Sequence, residues 1–174
     1  RGGFCNPRSA TYGRPAALAW LYQVWFLFIV GAWFVLAFCI ARPRLRMQYL
    51  IATVLAWAVI GTFAAIALSS GGPAYYGRLV GGPDPFAPLM AYLAGVHSVT
   101  ALYPLDVQQF LWDSYVTAHR TMGSGISAMP SMHVASTLLF ALLLRGWNRT
   151  LGRLGFLYVG LILVASVHLG WHYA

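Results

Sequence analysis

Residues 17–41 read ALAWLYQVWFLFIVGAWFVLAFCIA, a run without Asp, Glu, Lys, Arg or His, and a second such run covers residues 47–69. Each exceeds the roughly 20 residues that a helix needs to cross about 30 Å of hydrocarbon, so both are predicted membrane spans. Residues 121–144 and 154–174 contain histidine as their only ionisable residue type, which predicts two further spans. The predicted fold class is all-α, a polytopic transmembrane helical bundle.

The composition supports a membrane protein, with 60% hydrophobic and 8% charged residues and a net charge of +8. In a membrane protein this positive charge indicates topology and contact with anionic lipids, and we expect no nucleic-acid partner. Six arginines crowd the two loops that join the paired spans: Arg42, Arg44, Arg46, Arg145, Arg149 and Arg153. By the positive-inside rule both loops should be cytoplasmic, and the membrane is expected to be the plasma membrane.

The chain divides into an N-terminal polar segment, residues 1–16, and a membrane-embedded helical domain, residues 17–174. Two hairpins in this domain flank an extended non-cytoplasmic segment, residues 70–130. Within that segment, residues 86–119 look helical, and the part from Leu105 to Tyr115 is expected to be amphipathic and to lie at the membrane surface. Because the first and last residues lie close to predicted spans, we expect further helices beyond both ends.

Two histidines mark one end of the second hairpin. Pro130-Ser131-Met132-His133 opens the third span, and His172 lies at the far end of the fourth. Antiparallel neighbours bring these ends to the same depth, with helix axes about 8–10 Å apart. Ser131 is a natural N-cap, and the first N–H groups of the helix would attract an anion such as phosphate. One imidazole can then attack phosphorus while the other protonates the leaving oxygen.

Other interpretations of these residues remain open. His168 is more simply a packed histidine, and its spacing from His172 also fits a pair of metal ligands. A non-enzymatic transporter or channel subunit, with histidines that relay protons, would need more polar residues inside the first hairpin. That hairpin offers only four such residues: Gln23, Gln48, Thr53 and Thr62.

Residues 69–174 resemble the type-2 phosphatidic acid phosphatase superfamily. The stretch from Pro130 to Ala135, PSMHVA, is similar to the second family motif, Pro-Ser-Gly-His, and His172-Tyr173 is similar to the start of the third, His-x-x-x-Asp. The segment from Gly72 to Arg78, GPAYYGR, resembles the membrane branch that includes inositol phosphorylceramide synthase-like enzymes. The resemblance implies a membrane-embedded catalytic domain that acts on a lipid phosphate or phospholipid without a metal or other cofactor.

The resemblance also implies roles for single residues. His172 would be the nucleophile that forms a phosphohistidine, His133 the acid for the leaving group, and Ser131 a phosphate ligand. The family's orienting Asp would fall at position 176, its third-motif Arg corresponds to Ser166, and its first motif needs a Lys that the chain lacks. Three residues are therefore added as substrate-binding candidates: Arg78, Arg120 and Tyr76. Tyr75 and Tyr76 also fit an interfacial aromatic belt. Hydrolysis and transfer to an alcohol acceptor both remain open.

Overall fold

The computed structural model describes residues 7–38, 41–117 and 126–173, with side chains described from residue 13 onward. The described residues form helices and no strand, which confirms the predicted all-α class. The helices are α1 (Pro7–Phe38), α2 (Pro43–Ala58), α3 (Tyr76–Leu79), α4 (Ala87–His97), α5 (Tyr103–Val116), α6 (Met132–Trp147) and α7 (Arg149–His168). Helix α2 continues through a π-helical segment, Val59–Ala64, into a last α-helical turn, Ala65–Ala67.

Three described helical segments are long and apolar enough to cross a membrane: Gly13–Phe38, Pro43–Ala67 and Arg149–His168. The third predicted span is shorter than expected. Helix α6 has 16 residues, or about 24 Å at 1.5 Å per residue, because Ser131 caps its start and Asn148 already caps the start of α7. Helix α1 is longer than predicted at its start, since it begins at Pro7, within the predicted N-terminal polar segment.

The arginine-rich loops lie together at one end of the helices, as their charge pattern predicted. The Arg42 guanidinium donates a hydrogen bond to the Gly146 carbonyl oxygen over 2.6 Å. Leu45 packs against Gly146: a Cβ added to this glycine would lie 2.6 Å from the nearest Leu45 methyl carbon. We call this end the arginine end, and the end that carries Ser131 and His172 the site end.

Helices α6 and α7 form a tight antiparallel hairpin. At Asn148 the side-chain oxygen accepts a hydrogen bond from the Thr150 N–H over 2.7 Å, which caps α7 where the chain reverses. Gly155 allows the backbones to approach, because a Cβ there would lie 2.8 Å from the Cα of Ala141. This close packing fixes the start of α6 beside the end of α7.

Two apolar clusters hold the helices together, one at each end. At the site end, eight buried residues come from α1, α4, α7 and the caps of α5 and α7: Ala19, Tyr22, Leu93, Val96, Leu102, Ile162, Ala165 and Leu169. At the arginine end, α1, α2 and α6 contribute Ala32, Leu36, Tyr49 and Leu143. Helix α1 therefore joins both clusters, whereas α2 belongs to the arginine-end cluster.

The middle segment contains two helices where the sequence predicted one helix-like stretch over residues 86–119. Helix α4 ends at His97, and α5 starts at Tyr103 with Pro104 in its first turn. Proline has no N–H and disfavours a helical residue before it, so one continuous helix cannot pass this point.

Candidate active site

His133 lies in the first turn of α6. The Ser131 hydroxyl caps this helix by accepting a hydrogen bond from the Val134 N–H over 3.4 Å, as the sequence predicted. Main-chain N–H groups in a first helical turn have no acceptor within the helix. The start of α6 therefore presents N–H donors and the positive end of a helix dipole next to an imidazole.

Two aromatic side chains of α1 enclose the His133 imidazole. Its ring centroid lies 4.5 Å from that of Tyr22 and 4.2 Å from that of Trp25. The Trp25 indole N–H also donates a 2.9 Å hydrogen bond to the hydroxyl of Ser136, one turn further along α6. These contacts restrict the orientation of the His133 ring.

A glycine cap places His172 beyond the end of α7. The helix ends at His168, and Gly170 adopts φ +75°, a conformation that other residues rarely take. The Trp171 N–H then bonds to the Ser166 carbonyl oxygen over 2.9 Å, as in a Schellman cap. The chain turns away from the helix axis, so His172 projects from the cap instead of from the last helical turn that the sequence predicted.

Two loops pack against this cap. The Ala74 N–H donates to the Gly170 carbonyl oxygen over 3.0 Å, and the Ala128 N–H donates to the Ser70 carbonyl oxygen over 2.8 Å. At Gly72, which has φ +66°, an added Cβ would lie 2.6 Å from the main-chain oxygen of residue 171. The three chain segments that precede α3, precede α6 and follow α7 are thus interlocked.

Helix α5 braces the same cap through a buried amide. The Gln108 side chain donates a 2.9 Å hydrogen bond to the Leu169 carbonyl oxygen. The Tyr75 hydroxyl donates a 3.0 Å bond to the main-chain oxygen of Gln108. Tyr75 is only 3% exposed, so its assignment to an interfacial aromatic belt was wrong: this ring packs inside the protein.

One cavity of about 970 Å³ contains the sequence-predicted residues Ser131, His133 and His172 in its wall. We call it the histidine cavity. The structure therefore brings together, in the wall of one cavity, two histidines that are far apart in the sequence. Tyr22 and Trp171, whose rings stack at a centroid distance of 6.5 Å, lie in the same wall.

The described wall of the histidine cavity has no Asp, Glu, Lys or Arg. Burial lowers the pKa of the His172 imidazole, while the nearby backbone of Ala128 favours the charged form. Within the described residues, His172 Nδ1 and Trp171 Nε1 are buried without a hydrogen-bond partner. Unpaired buried polar atoms are costly, and a polar ligand at this site would give them partners.

Arg78 and Tyr76 do not line the described wall of the histidine cavity. The Arg78 guanidinium lies 5.1 Å from the ring centroid of Trp112 and contacts the Gln109 side-chain oxygen, beside a separate cavity of about 590 Å³. The Tyr76 ring packs edge-on against Phe86. Arg120 lies outside the described residues, so its role stays a prediction.

His168 does not join His172 as a helical ligand pair. The two residues are separated by the glycine cap, and the described residues contain no group of three His, Cys, Asp or Glu that could hold a metal ion. The His168 ring instead packs edge-on to Tyr92 at 6.4 Å, as expected for a packed histidine.

Two of the four polar residues named for the transporter alternative, Gln23 and Thr62, line the histidine cavity. The Thr53 hydroxyl donates to the Tyr49 carbonyl oxygen over 2.8 Å, and the Thr62 hydroxyl donates to that of Trp57 over 3.2 Å. Both hydroxyls are therefore satisfied by their own helix.

Sequence reasoning missed the residues that hold the histidines in place. Tyr22 and Trp25 lie within an apolar run, where an aromatic residue that faces lipid has the same signature as one that faces a site. The available signal was Gln23, which lies between Tyr22 and Trp25. A polar residue in a span often marks the side that faces protein. Gln108 had no such signal, because Gln109 follows it directly.

The geometry defines a helical membrane protein with two histidines in the wall of one cavity at one end of its bundle. The family model of the PAP2 superfamily matches residues 11–174, and the chain therefore belongs to that superfamily. Membership supports a phosphatase-type function. No curated protein and no solved structure matches the chain.

Proposed function

We propose that the protein is an integral membrane phosphatase or phosphotransferase that acts on a lipid phosphate through a phosphohistidine intermediate. The observation that carries this proposal is the placement of His133 and His172 in one cavity beside the start of α6. The site would lie on the non-cytoplasmic side of the plasma membrane, because the arginine end is expected to be cytoplasmic.

In the first step, a ring nitrogen of neutral His172 attacks phosphorus and the bond to the leaving oxygen breaks. His133 donates a proton to that oxygen, and N–H groups at the start of α6 stabilise the charge on the phosphoryl oxygens. In the second step, His133 removes a proton from water or an alcohol, whose oxygen attacks phosphorus and restores the His172 imidazole.

A carboxylate should hold the His172 ring in the correct tautomer, since the Nδ1 atom is buried without a partner among the described residues. The family's motif would supply an Asp at position 176. In this mechanism, hydrolysis and transfer differ only in the acceptor that the cavity admits. The inositol phosphorylceramide synthase-like branch would correspond to transfer.

Phosphate release or transfer from a panel of radiolabelled lipid phosphates in proteoliposomes tests the proposal. His172→Asn should abolish turnover, and His133→Asn should lower it by about 10²–10⁴-fold, the usual contribution of a general acid. His168→Asn is the matched control, because that imidazole lies near the same helix end but outside the described wall of the cavity. Turnover by His172→Asn at the wild-type rate would refute the mechanism.

A further inference from the structure

A second cavity, of about 590 Å³, lies behind the glycine cap of α7, and its volume is typical of small-molecule sites. We call it the charged cavity. Its wall includes Ala74, whose N–H donates to the Gly170 carbonyl oxygen over 3.0 Å. It also includes Gln108, whose side chain donates to the Leu169 carbonyl oxygen over 2.9 Å. A ligand in the charged cavity would therefore contact the residues that brace the cap of His172.

The charged cavity gathers the acidic residues of the chain. The sequence contains only three of them, Asp84, Asp106 and Asp113. Asp84 and Asp106 line the cavity together with Arg78. Asp113 accepts a 2.8 Å hydrogen bond from the side chain of Gln109, which also lines the cavity. Both signs of charge therefore meet in one wall, whereas the described wall of the histidine cavity has neither.

Two of these charges share the wall without neutralising each other. Among the described residues one ion pair forms, between His97 Nε2 and Asp106 Oδ1 over 3.5 Å. Arg78 and Asp84 do not take part in it, and the Arg78 guanidinium instead contacts the neutral side-chain oxygen of Gln109 over 3.3 Å. A guanidinium and a carboxylate that face one cavity unpaired fit a ligand that carries both an anion and a cation.

Both unpaired groups are held in place before any ligand binds. One oxygen of the Asp84 carboxylate accepts a hydrogen bond from the Phe86 N–H over 2.8 Å. The other lies 2.7 Å from the position of a Cβ added to Gly77, so this glycine lets the carboxylate pack against the main chain beside Arg78. The Arg78 guanidinium lies over the Trp112 ring, 5.1 Å from its centroid. Such preorganisation lowers the cost of binding.

The charged cavity lies at the level of the phospholipid head groups. The span of α7 ends at His168, and the cap that contacts the cavity wall follows it directly. This is the level at which hydrocarbon gives way to polar head groups. Part of the wall is apolar and consists of Ala87, Met90, Ala94 and Leu105. A charged wall with an apolar side at the end of a span suits a lipid head group and its glycerol better than a free solute.

We propose that the charged cavity binds the phosphoethanolamine head group of a membrane lipid, with the phosphate against Arg78 and the ammonium against Asp84 and Asp106. The bound head group stabilises the cap that carries His172. A head group with a net negative charge fits less well, because two carboxylates lie in the same wall. A choline group fits less well because it has no N–H to donate to them. The site is separate from the histidine cavity, so the inference does not depend on the phosphohistidine mechanism.

Fluorine NMR at Trp112 tests the binding without relying on turnover. The full chain with 5-fluorotryptophan at position 112 is placed in nanodiscs of dioleoyl phosphatidylcholine, and the fraction of dioleoyl phosphatidylethanolamine is raised stepwise. A saturable shift of the fluorine resonance is expected, because the Trp112 ring contacts the guanidinium that would hold the phosphate. An equal shift with dioleoyl phosphatidylglycerol would overturn the proposal.

A second arm of this experiment separates a lipid from a free solute. Soluble sn-glycero-3-phosphoethanolamine is titrated against the same labelled protein in pure phosphatidylcholine nanodiscs. The lipid should produce the shift at a lower concentration in the membrane than this compound requires in solution. A shift with the soluble compound alone would overturn the assignment to a lipid, and no shift in either arm would overturn the site.

Charge variants test the two contacts. Asp84→Asn and Arg78→Gln should each raise the apparent Kd by at least about tenfold, the loss typical of a hydrogen bond with a charged group. Arg78→Lys keeps the charge and should recover part of the affinity, which separates the charge from the packing on Trp112. Asp113→Asn is the matched control, since Asp113 is next to Trp112 but outside the described wall. Wild-type affinity in Asp84→Asn would overturn the proposal.

Hydrogen exchange tests the effect on the cap. The N–H groups of Trp171 and His172 bond to the Ser166 carbonyl oxygen within the cap. Phosphatidylethanolamine should slow amide exchange in the peptide that covers residues 166–173, because its head group would stabilise the residues that brace these bonds. The slowing should be lost in Asp84→Asn. A fluorine shift at Trp112 with unchanged exchange in this peptide would overturn the link between the charged cavity and the cap.

Discussion

At the scale of single residues, the site depends on two imidazoles with different surroundings. His133 is enclosed by Tyr22 and Trp25, whereas His172 follows a glycine cap and keeps a buried, unpaired Nδ1 among the described residues. These differences match the roles proposed for them. A ring held between aromatic side chains suits proton transfer along one direction, and a ring whose Nδ1 has no partner can accept support at that atom while the other nitrogen attacks.

The leaving group should reveal which histidine is the acid. In His133→Asn, an alkyl phosphate should react about 10²–10⁴-fold more slowly than in the wild type. The rate with a nitrophenyl phosphate should fall much less, because nitrophenolate leaves without a proton. Steady-state rates with the two esters measure this difference, and equal losses would contradict the role of His133.

The pH profile should report the nucleophile. Burial lowers the pKa of His172, so its neutral, reactive form should persist at pH values below the ordinary histidine pKa of about 6.5. With nitrophenyl phosphate and the His133→Asn variant, the acid limb of kcat/KM should therefore lie below that pH. An acid limb above it would contradict the proposed environment of His172.

Some of this arrangement was predictable from the sequence. The sequence predicted one site for Ser131, His133 and His172 because helix direction alternates across a membrane. A histidine inside a span also indicates a functional site. The position of Arg78 was not predictable, since it lies on the four-residue helix α3. The direction of that helix depends on the turn at Gly72 and on packing against Trp112.

At the scale of elements, the cap of α7 connects fold and function. The positive φ of Gly170 turns the chain, and hydrogen bonds from the Ala74 N–H and the Gln108 side-chain amide to this cap hold the turn in place. The sequence predicted the spans because charge is excluded from them. It missed the early start of α1 and the split between α4 and α5, although Pro104 marked the split.

Replacing the cap glycine should separate stability from catalysis. Gly170→Ala should cost about 1–2 kcal/mol of unfolding free energy, the penalty for a left-handed non-glycine residue, and should also lower kcat by displacing His172. Unfolding in detergent and turnover of the same preparations measure the two effects.

Gly82→Ala is the control for this variant. Gly82 also has a positive φ, of +80°, but nothing lies within 4 Å of its added Cβ. It should show a similar loss of stability with little change in kcat. Equal losses of kcat in both variants would show that the cap does not position His172.

At the scale of the whole molecule, the charge pattern and the site lie at opposite ends. The hydrogen bond between Arg42 and Gly146 joins the start of α2 to the end of α6, while the loops before α3 and α6 meet around His172. The sequence predicted this polarity from the positive-inside rule. It could not predict the extent of the histidine cavity along α2, because the spacing of apolar helices depends on packing at their other faces.

Thiol labelling tests the orientation of the molecule in the membrane. In a background with Cys5→Ser and Cys39→Ser, a membrane-impermeant maleimide added to intact cells should label Val80→Cys at the site end. It should label Thr150→Cys at the arginine end only after permeabilisation. The reverse pattern would place the site on the cytoplasmic side.

The central claim is that phosphate is carried covalently by His172. Rapid quenching under alkaline conditions during turnover of a labelled lipid phosphate, followed by mass spectrometry of the peptide that contains residues 166–173, tests it most directly. The account predicts phosphate on His172 in the wild type and in His168→Asn, and none in His172→Asn. Phosphate on a different side chain, or trapping that survives His172→Asn, would contradict it.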